Sequence, residues 1–173
     1  MKVLFVCTGN VHRSALAERL LALHAPSVQS AGAGTEATHT AGMDAATRSV
    51  LAELGGNGRD FTSRRLTPDL VEDAGLVLGL AREHREAAVR LCPAALRRTF
   101  TLREFVRLAS PGGTPAEVVA RAAAARGTVP PGADDIADPW GAGYDALRAC
   151  GAEIDGLVRD LARILLPLHA PAR

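Results

Sequence analysis

The run VLFVCTGNVHRSALAERLL, residues 3–21, changes character twice within a few positions. Lys2–Val6 is apolar after its lysine, which is the pattern of a buried strand. Ser14–His24 then sets Leu16, Leu20 and Leu23 on one helical face. Between them lies CTGNVH, a turn that opens on a thiol and runs straight into Arg13 and Ser14. In open α/β sheets, ligands bind at the carboxyl ends of strands, and Cys7 stands at such an end. The helix that follows presents unpaired N–H groups and the positive end of its dipole, so the turn is suited to an anion.

The residue types in the turn fit that use. The stretch from Cys7 to Arg13 is long enough to wrap a small tetrahedral oxyanion with its N–H groups inward, as in an anion-binding nest. Thr8, Gly9, Asn10, Val11, His12 and Ser14 are therefore candidate phosphate or substrate contacts. Gly9 removes a side chain where the backbone turns, and Asn10 tolerates left-handed dihedrals. Arg13 offers a planar fork to two phosphoryl oxygens. The same dipoles favour a thiolate, and the Ser14 hydroxyl is a further donor to the sulfur. A nucleophile and a phosphate cradle in one loop amount to a device for attack on phosphorus. A Walker loop is excluded because no Gly-Lys-Ser/Thr follows. Cys7 with His12 lacks a second Cys/His pair at ligand spacing, so no metal site is expected.

The alternation continues along the chain. Val28–Ala31 reads as a second strand, and Gly32, Gly34 and the residues to Gly42 as a loop. Asp44–Leu54 reads as a helix ended by Gly55, Gly56 and Gly58. Thr67-Pro68 supplies an N-cap and a first helical proline for a short helix over Pro68–Asp73. Gly75–Leu80 is a third strand, Glu83–Leu91 a helix stopped before Pro93, and Arg98–Thr101 a fourth strand. Helices follow at Leu102–Leu108 and Ala116–Arg126, with breaks at Ser110–Thr114 and Val129–Gly132. The last helix covers about Tyr144–Leu166, with Leu147, Ile154, Leu157, Leu161, Ile164 and Leu165 at helical spacing. Alternating strands and helices predict an α/β fold with a parallel sheet covered on both faces. No repeat or long linker divides residues 1–173, so one domain is expected.

Bulk composition narrows the function classes. Hydrophobic residues make up 47% of the 173 residues and aromatics 3%, so a folded core of mostly Ala, Leu and Val is expected. A net charge of +1 leaves no footprint for nucleic acid, and acids interleave with Arg64-Arg65 and Arg97-Arg98. Three widely spaced cysteines, Cys7, Cys92 and Cys150, do not make a disulfide framework. No stretch approaches a membrane span, and no signal-peptide pattern opens the chain. No membrane partner is expected, and a reducing cytoplasm is the expected location.

Taken together, CTGNVHRS resembles the C-x5-R-S loop of the low-molecular-weight protein tyrosine phosphatases. Ser30-Ala31-Gly32 is similar to the family's stretch after its second strand. Asp138-Pro139-Trp140-Gly141 is similar to its late Asp-Pro-aromatic loop, and FTSRRLTPDL and LVLGLAREHR to its middle region. The resemblance covers residues 1–166. It implies a three-layer fold with a four-stranded parallel sheet flanked by helices, and no metal or organic cofactor. It implies that Cys7 attacks phosphorus to give a phosphocysteine, that Arg13 and the loop hold the phosphoryl oxygens, and that Asp138 protonates the leaving oxygen and later activates water. Trp140 is expected to wall the pocket. The substrate would be a phosphorylated protein or a small aryl phosphate, with inorganic phosphate as product.

The chain departs from the family pattern in two places. His12 stands where members often have a second loop cysteine, so no neighbouring disulfide can protect Cys7; the ring is expected to face away. The loop AGTEATHTAG lacks the aromatic residue of many tyrosine-specific members, and His39 is its only flat side chain. Val11 is nearer to tyrosine-type members than to phosphoarginine-specific ones, which have threonine. Asp134 and Asp135 compete with Asp138 for the acid role and are expected to be solvated. Two alternatives to a tyrosine phosphatase stay open: a phosphoarginine phosphatase, and an arsenate reductase using an external thiol, since Cys92 has no near partner. A catalytically silent phosphate- or phosphopeptide-binding module is a third.

Overall fold

The computed structural model describes residues 1–128, 130 and 132–166. β1 (Lys2–Cys7) leads through α1 (Arg13–His24) to β2 (Gln29–Gly34). A small strand β3 (Thr40–Ala41), helix α2 (Ala45–Glu53) and strand β4 (Thr62–Ser63) follow, then α3 (Pro68–Glu72), β5 (Leu76–Gly79) and α4 (Arg82–Leu91). A 3-10 turn at Pro93–Arg98 enters β6 (Thr99–Thr101), and α5 (Leu102–Leu108), α6 (Pro115–Ala124) and α7 (Tyr144–Leu165) complete the chain.

β1, β2, β5 and β6 form one parallel sheet in the order β2-β1-β5-β6. The fold is the four-stranded, three-layer α/β arrangement expected. The chain leaves β1 to one side for β2 and later returns on the other side for β5, so the strand order reverses at β1. Cys7, its last residue, therefore sits at the crevice where ligands of such sheets bind.

Alternate residues of the strands feed two cores. Val3, Phe5, Leu76, Leu78 and Phe100 face one way, against α1, α5 and α7. Leu4, Val6, Ala31, Ala33 and Val77 face the other, where they meet Val71, Ala88, Cys92 and Ala95. Continuous apolar strands are thus explained by burial on both faces. The core is less purely aliphatic than composition suggested, because all four phenylalanines are buried. Phe100 and Phe105 pack edge to face at 5.1 Å.

Capping chemistry sets several helix starts. Thr67 accepts from Leu70 N with Pro68 in the first turn. Thr101–Glu104 and Thr114–Glu117 are full capping boxes for α5 and α6. The second box brings Pro115 into α6, one residue earlier than its sequence pattern. Two other differences have local causes. β2 runs through Gly34 because its whole length pairs with β1. The 32–42 loop contains β3, which pairs antiparallel with β4. Strands this short have no periodicity to read. The break expected at Val129–Gly132 lies partly outside the described residues.

Candidate active site

The turn after β1 is held by Asn10. Its backbone is left-handed, with φ 51°, and its side chain is fully buried. Asn10 Nδ2 donates to Ser14 Oγ at 2.8 Å, and its Oδ1 accepts from Arg64 N at 3.0 Å. The amide thus ties the helix end of the turn to the segment before α3. Glycines let the turn press against β2: a Cβ on Gly34 would lie 2.5 Å from the Thr8 carbonyl oxygen, and one on Gly32 would lie 2.8 Å from Asn10 Nδ2. This gives the Ser-Ala-Gly stretch its physical role. Thr35 N and Glu36 N donate back to the carbonyls of Cys7 and Thr8, each at 2.9 Å.

Two donors converge on the sulfur. Asn10 N lies 3.2 Å from Cys7 Sγ, and Ser14 Oγ lies 3.0 Å away. Because Asn10 already donates to the Ser14 oxygen, the Ser14 proton is available to the sulfur. Negative charge on the sulfur, whether before attack or as it leaves phosphorus, is met by both. Among the described residues, the N–H groups of Gly9, Val11 and His12 donate to no protein acceptor. Free donors at the start of a helix are what an oxyanion requires.

Arg13 reaches into the site with a side chain only 5% exposed. Nη2 donates to Asp138 Oδ2 at 2.6 Å, and Nη1 to the Ile136 carbonyl at 3.1 Å. Asp138 Oδ1 also accepts from Trp140 N at 3.2 Å, which folds the Asp-Pro-Trp segment on itself. Upstream, Ile136 N donates to Leu80 O at 2.9 Å and pins the segment to the end of β5.

A cavity of about 330 Å³ is lined by Thr8, Gly9, Val11, His12 and Arg13 from the turn, by Glu36, Ala37 and Thr38 after β2, and by Asp138 and Trp140. Seven of the expected site residues meet here; Cys7, 3% exposed at the root of the turn, is not among the lining residues. Asn10 and Ser14 do not line it; both are fully buried behind the turn and act on its shape and on the sulfur.

Two expectations change, those for His12 and Asp134, and His39 is located. His12 does not face away but lines the cavity, because its Nδ1 is drawn to Thr47 Oγ1 at 2.5 Å. His39 is exposed and takes no part in the wall; Glu36, Ala37 and Thr38 supply it. Asp134 is not free in solvent, its side chain being only 11% exposed, whereas Asp135 is exposed as expected although it is hydrogen-bonded. Asp134 pairs with Arg107, and Asp135 accepts from Arg82 N at 2.7 Å at the start of α4. Asp138 alone of the three reaches Arg13.

His84 is a site neighbour that the sequence reading missed. It is 1% exposed, and its Nε2 lies 3.0 Å from Thr8 Oγ1. A histidine one turn into an amphipathic helix carries no distinguishing signal in sequence. Burial first, then the Arg13 charge, push its pKa from 6.5 down to about 4. In the unfolded chain the ring binds a proton below its ordinary value, while the native ring stays neutral to about 4. Its contribution to stability is therefore present above pH 6.5, falls as pH drops through the window to 4, and then levels off. The shift caps this loss at about 3 kcal/mol. Urea unfolding of wild type and His84→Gln at pH 7, 5.5 and 4.5 should give a shallower pH slope for the variant; matching slopes would remove His84 as the cause.

A parallel α/β sheet with a thiol set inside an anion-binding turn at its topological switch point defines a class of cysteine-centred oxyanion proteins. Comparison with known proteins places this chain within the class. Residues 2–113 match the model of the low molecular weight phosphotyrosine protein phosphatases, and the chain belongs to that family of hydrolases. It is 31% identical over 165 residues to a protein-arginine-phosphatase of Geobacillus stearothermophilus, covering 95% of each chain. It is 30% identical over 104 residues to the probable low molecular weight protein-tyrosine-phosphatase AmsI of Erwinia amylovora, covering 60% of this chain and 72% of that one. The solved structure of YwlE arginine phosphatase from Geobacillus stearothermophilus superposes with a TM-score of 0.73 at 30% identity, covering 93% of this chain and 90% of that one. Among the described residues there is no cluster that could hold a metal ion, and no helix long and apolar enough to cross a membrane.

Proposed function

We propose that this chain hydrolyses phosphomonoesters on proteins through a phosphocysteine, without a cofactor, as a single domain over residues 1–173. The observation that carries the reading is a doubly hydrogen-bonded Cys7 sulfur at the root of a turn whose N–H groups are free and whose Arg13 meets Asp138 in one cavity. Cys7 Sγ attacks phosphorus and the P–O bond to the leaving group breaks. Asp138 in its acid form gives the leaving oxygen its proton. Arg13 and the turn amides hold the three remaining oxygens. Asp138, now a carboxylate, takes a proton from water as it attacks phosphorus; the S–P bond breaks, and inorganic phosphate leaves. Arg13 must exchange part of its bonding to Asp138 and Ile136 for the phosphoryl oxygens, so substrate binding loosens the acid at the moment it is needed.

Phosphotyrosine on a protein, or a small aryl phosphate, is the leading substrate. Val11, Ala37 and Trp140 give the cavity apolar walls for a flat ring. A second reading, phosphoarginine, is favoured by the near full-length match to an arginine phosphatase. The Glu36 carboxylate on the cavity wall would suit a guanidinium. Arsenate reduction has less support. Cys92 packs in the core on the far side of the sheet, and burial pushes the Cys150 thiol up to about 12, so neither is poised to resolve an oxidised Cys7. A cytoplasmic location belongs to this reading, supported by three unpaired cysteines.

Phosphate release from matched phosphotyrosine and phosphoarginine peptides, with chelator present, tests the proposal. Release from the phosphotyrosine peptide at higher kcat/KM is expected. The reverse preference would transfer the assignment to phosphoarginine, and no release from either by folded protein would sink both.

A further inference from the structure

His12 ends the turn without capping α1; it makes no side-chain bond to the helix start. Its ring swings sideways to the start of α2, where Nδ1 lies 2.5 Å from Thr47 Oγ1. Thr47 is fully buried, and its hydroxyl and backbone N both donate to Asp44 Oδ1, at 3.2 and 3.0 Å. The single Thr47 proton is thus committed to Asp44, so Thr47 accepts from His12 and the ring is protonated on Nδ1. A chain of hydrogen bonds from Asp44 through Thr47 fixes the plane of the imidazole.

That plane meets Trp140. The ring centroids are 5.6 Å apart with a tilt of 40°. Trp140 is 71% exposed, so little else holds it. Its backbone N is bonded to Asp138 Oδ1. Consecutive residues of the turn therefore grip the acid segment at two points, Arg13 on the Asp138 carboxylate and His12 on the Trp140 ring. When Arg13 turns to a phosphoryl group, the His12 grip is the one that remains.

We infer that His12 is a positioning residue: held by Thr47 and Asp44, it keeps the Asp138 segment in place through Trp140. The inference rests on Asp138 being the acid. A cysteine at position 12 could not span from Thr47 to Trp140. Aromatic pairs of this kind shift a local equilibrium by roughly 2- to 12-fold. A small displacement of a catalytic group costs on the order of 10- to 10²-fold in rate.

Two readouts separate positioning from general support. Trp140 is the chain's only tryptophan, so its fluorescence anisotropy isolates the segment. His12→Ala should lower that anisotropy, His12→Phe should restore part of it, and Thr47→Val should fall between. Second, kcat/KM is measured across aryl phosphates of rising leaving-group pKa for these variants and Asp138→Ala. His12→Ala should steepen the dependence, losing on the order of 10-fold at the poorest leaving group and several-fold less at the best. His12→Phe should recover part of the loss. Wild-type anisotropy and slope in His12→Ala would overturn the inference. So would an equal loss at every leaving group with weakened inhibition by phosphate, which would make His12 a support of the cradle. A flat dependence in Asp138→Ala would instead refute the acid assignment, a distinguishable failure.

Discussion

Cys7→Ser is expected to end turnover while phosphate still binds. The substitution keeps size and leaves the turn intact, since Asn10 and Ser14 hold each other and Arg64 independently of the sulfur. Free donors on Gly9, Val11 and His12 remain for an oxyanion. What is lost is nucleophilicity and, more decisively, leaving ability. A thiolate departs readily from phosphorus, and an alkoxide does not. Any serine phosphate formed should therefore persist. The check is steady-state phosphate release beside mass spectrometry of the intact variant. Turnover at background, with at most one added phosphoryl group per chain and phosphate affinity within a few-fold of wild type, is the expected result. Sustained turnover would remove Cys7 as nucleophile.

This prediction was legible early because its parts are contiguous. Cys7, Gly9, Asn10, Arg13 and Ser14 lie in one run, and their backbone requirements select residue types that sequence displays. The sheet was legible for a related reason: strands buried on both faces read as apolar runs, and Thr67-Pro68 announces a helix start. Contacts between distant segments were not. Thr47 meets His12 across 35 positions and His84 meets Thr8 across 76, and neither partner has an unusual local sequence. The orientation of His12 was misread because it depends on Thr47, whose hydroxyl looks like an ordinary first-turn threonine beside the Asp44 cap. Asp134 looked solvated because its partner, Arg107, comes from α5.

Asp138→Ala should lose on the order of 10²- to 10⁴-fold in kcat/KM with poor leaving groups, and far less with activated aryl phosphates. The acid matters only where the departing oxygen cannot carry its own charge. The loss should not come from unfolding. The Asp138 side chain is 47% exposed, and an ion pair with one end so open contributes about 1 kcal/mol or less. Arg13 also keeps its bond to the Ile136 carbonyl. Binding should move the other way. Removing a carboxylate that occupies Arg13 and repels phosphate should tighten competitive inhibition by phosphate or vanadate. Loss of rate with gain of oxyanion affinity is a signature that a damaged cradle cannot produce, since damage weakens both. Asp134→Ala and Asp135→Ala serve as comparisons. Each removes a tether to Arg107 or α4, so each should lower stability modestly without steepening the leaving-group dependence. If either gives the steep dependence and Asp138→Ala does not, the acid lies upstream and the Arg13–Asp138 pair is structural.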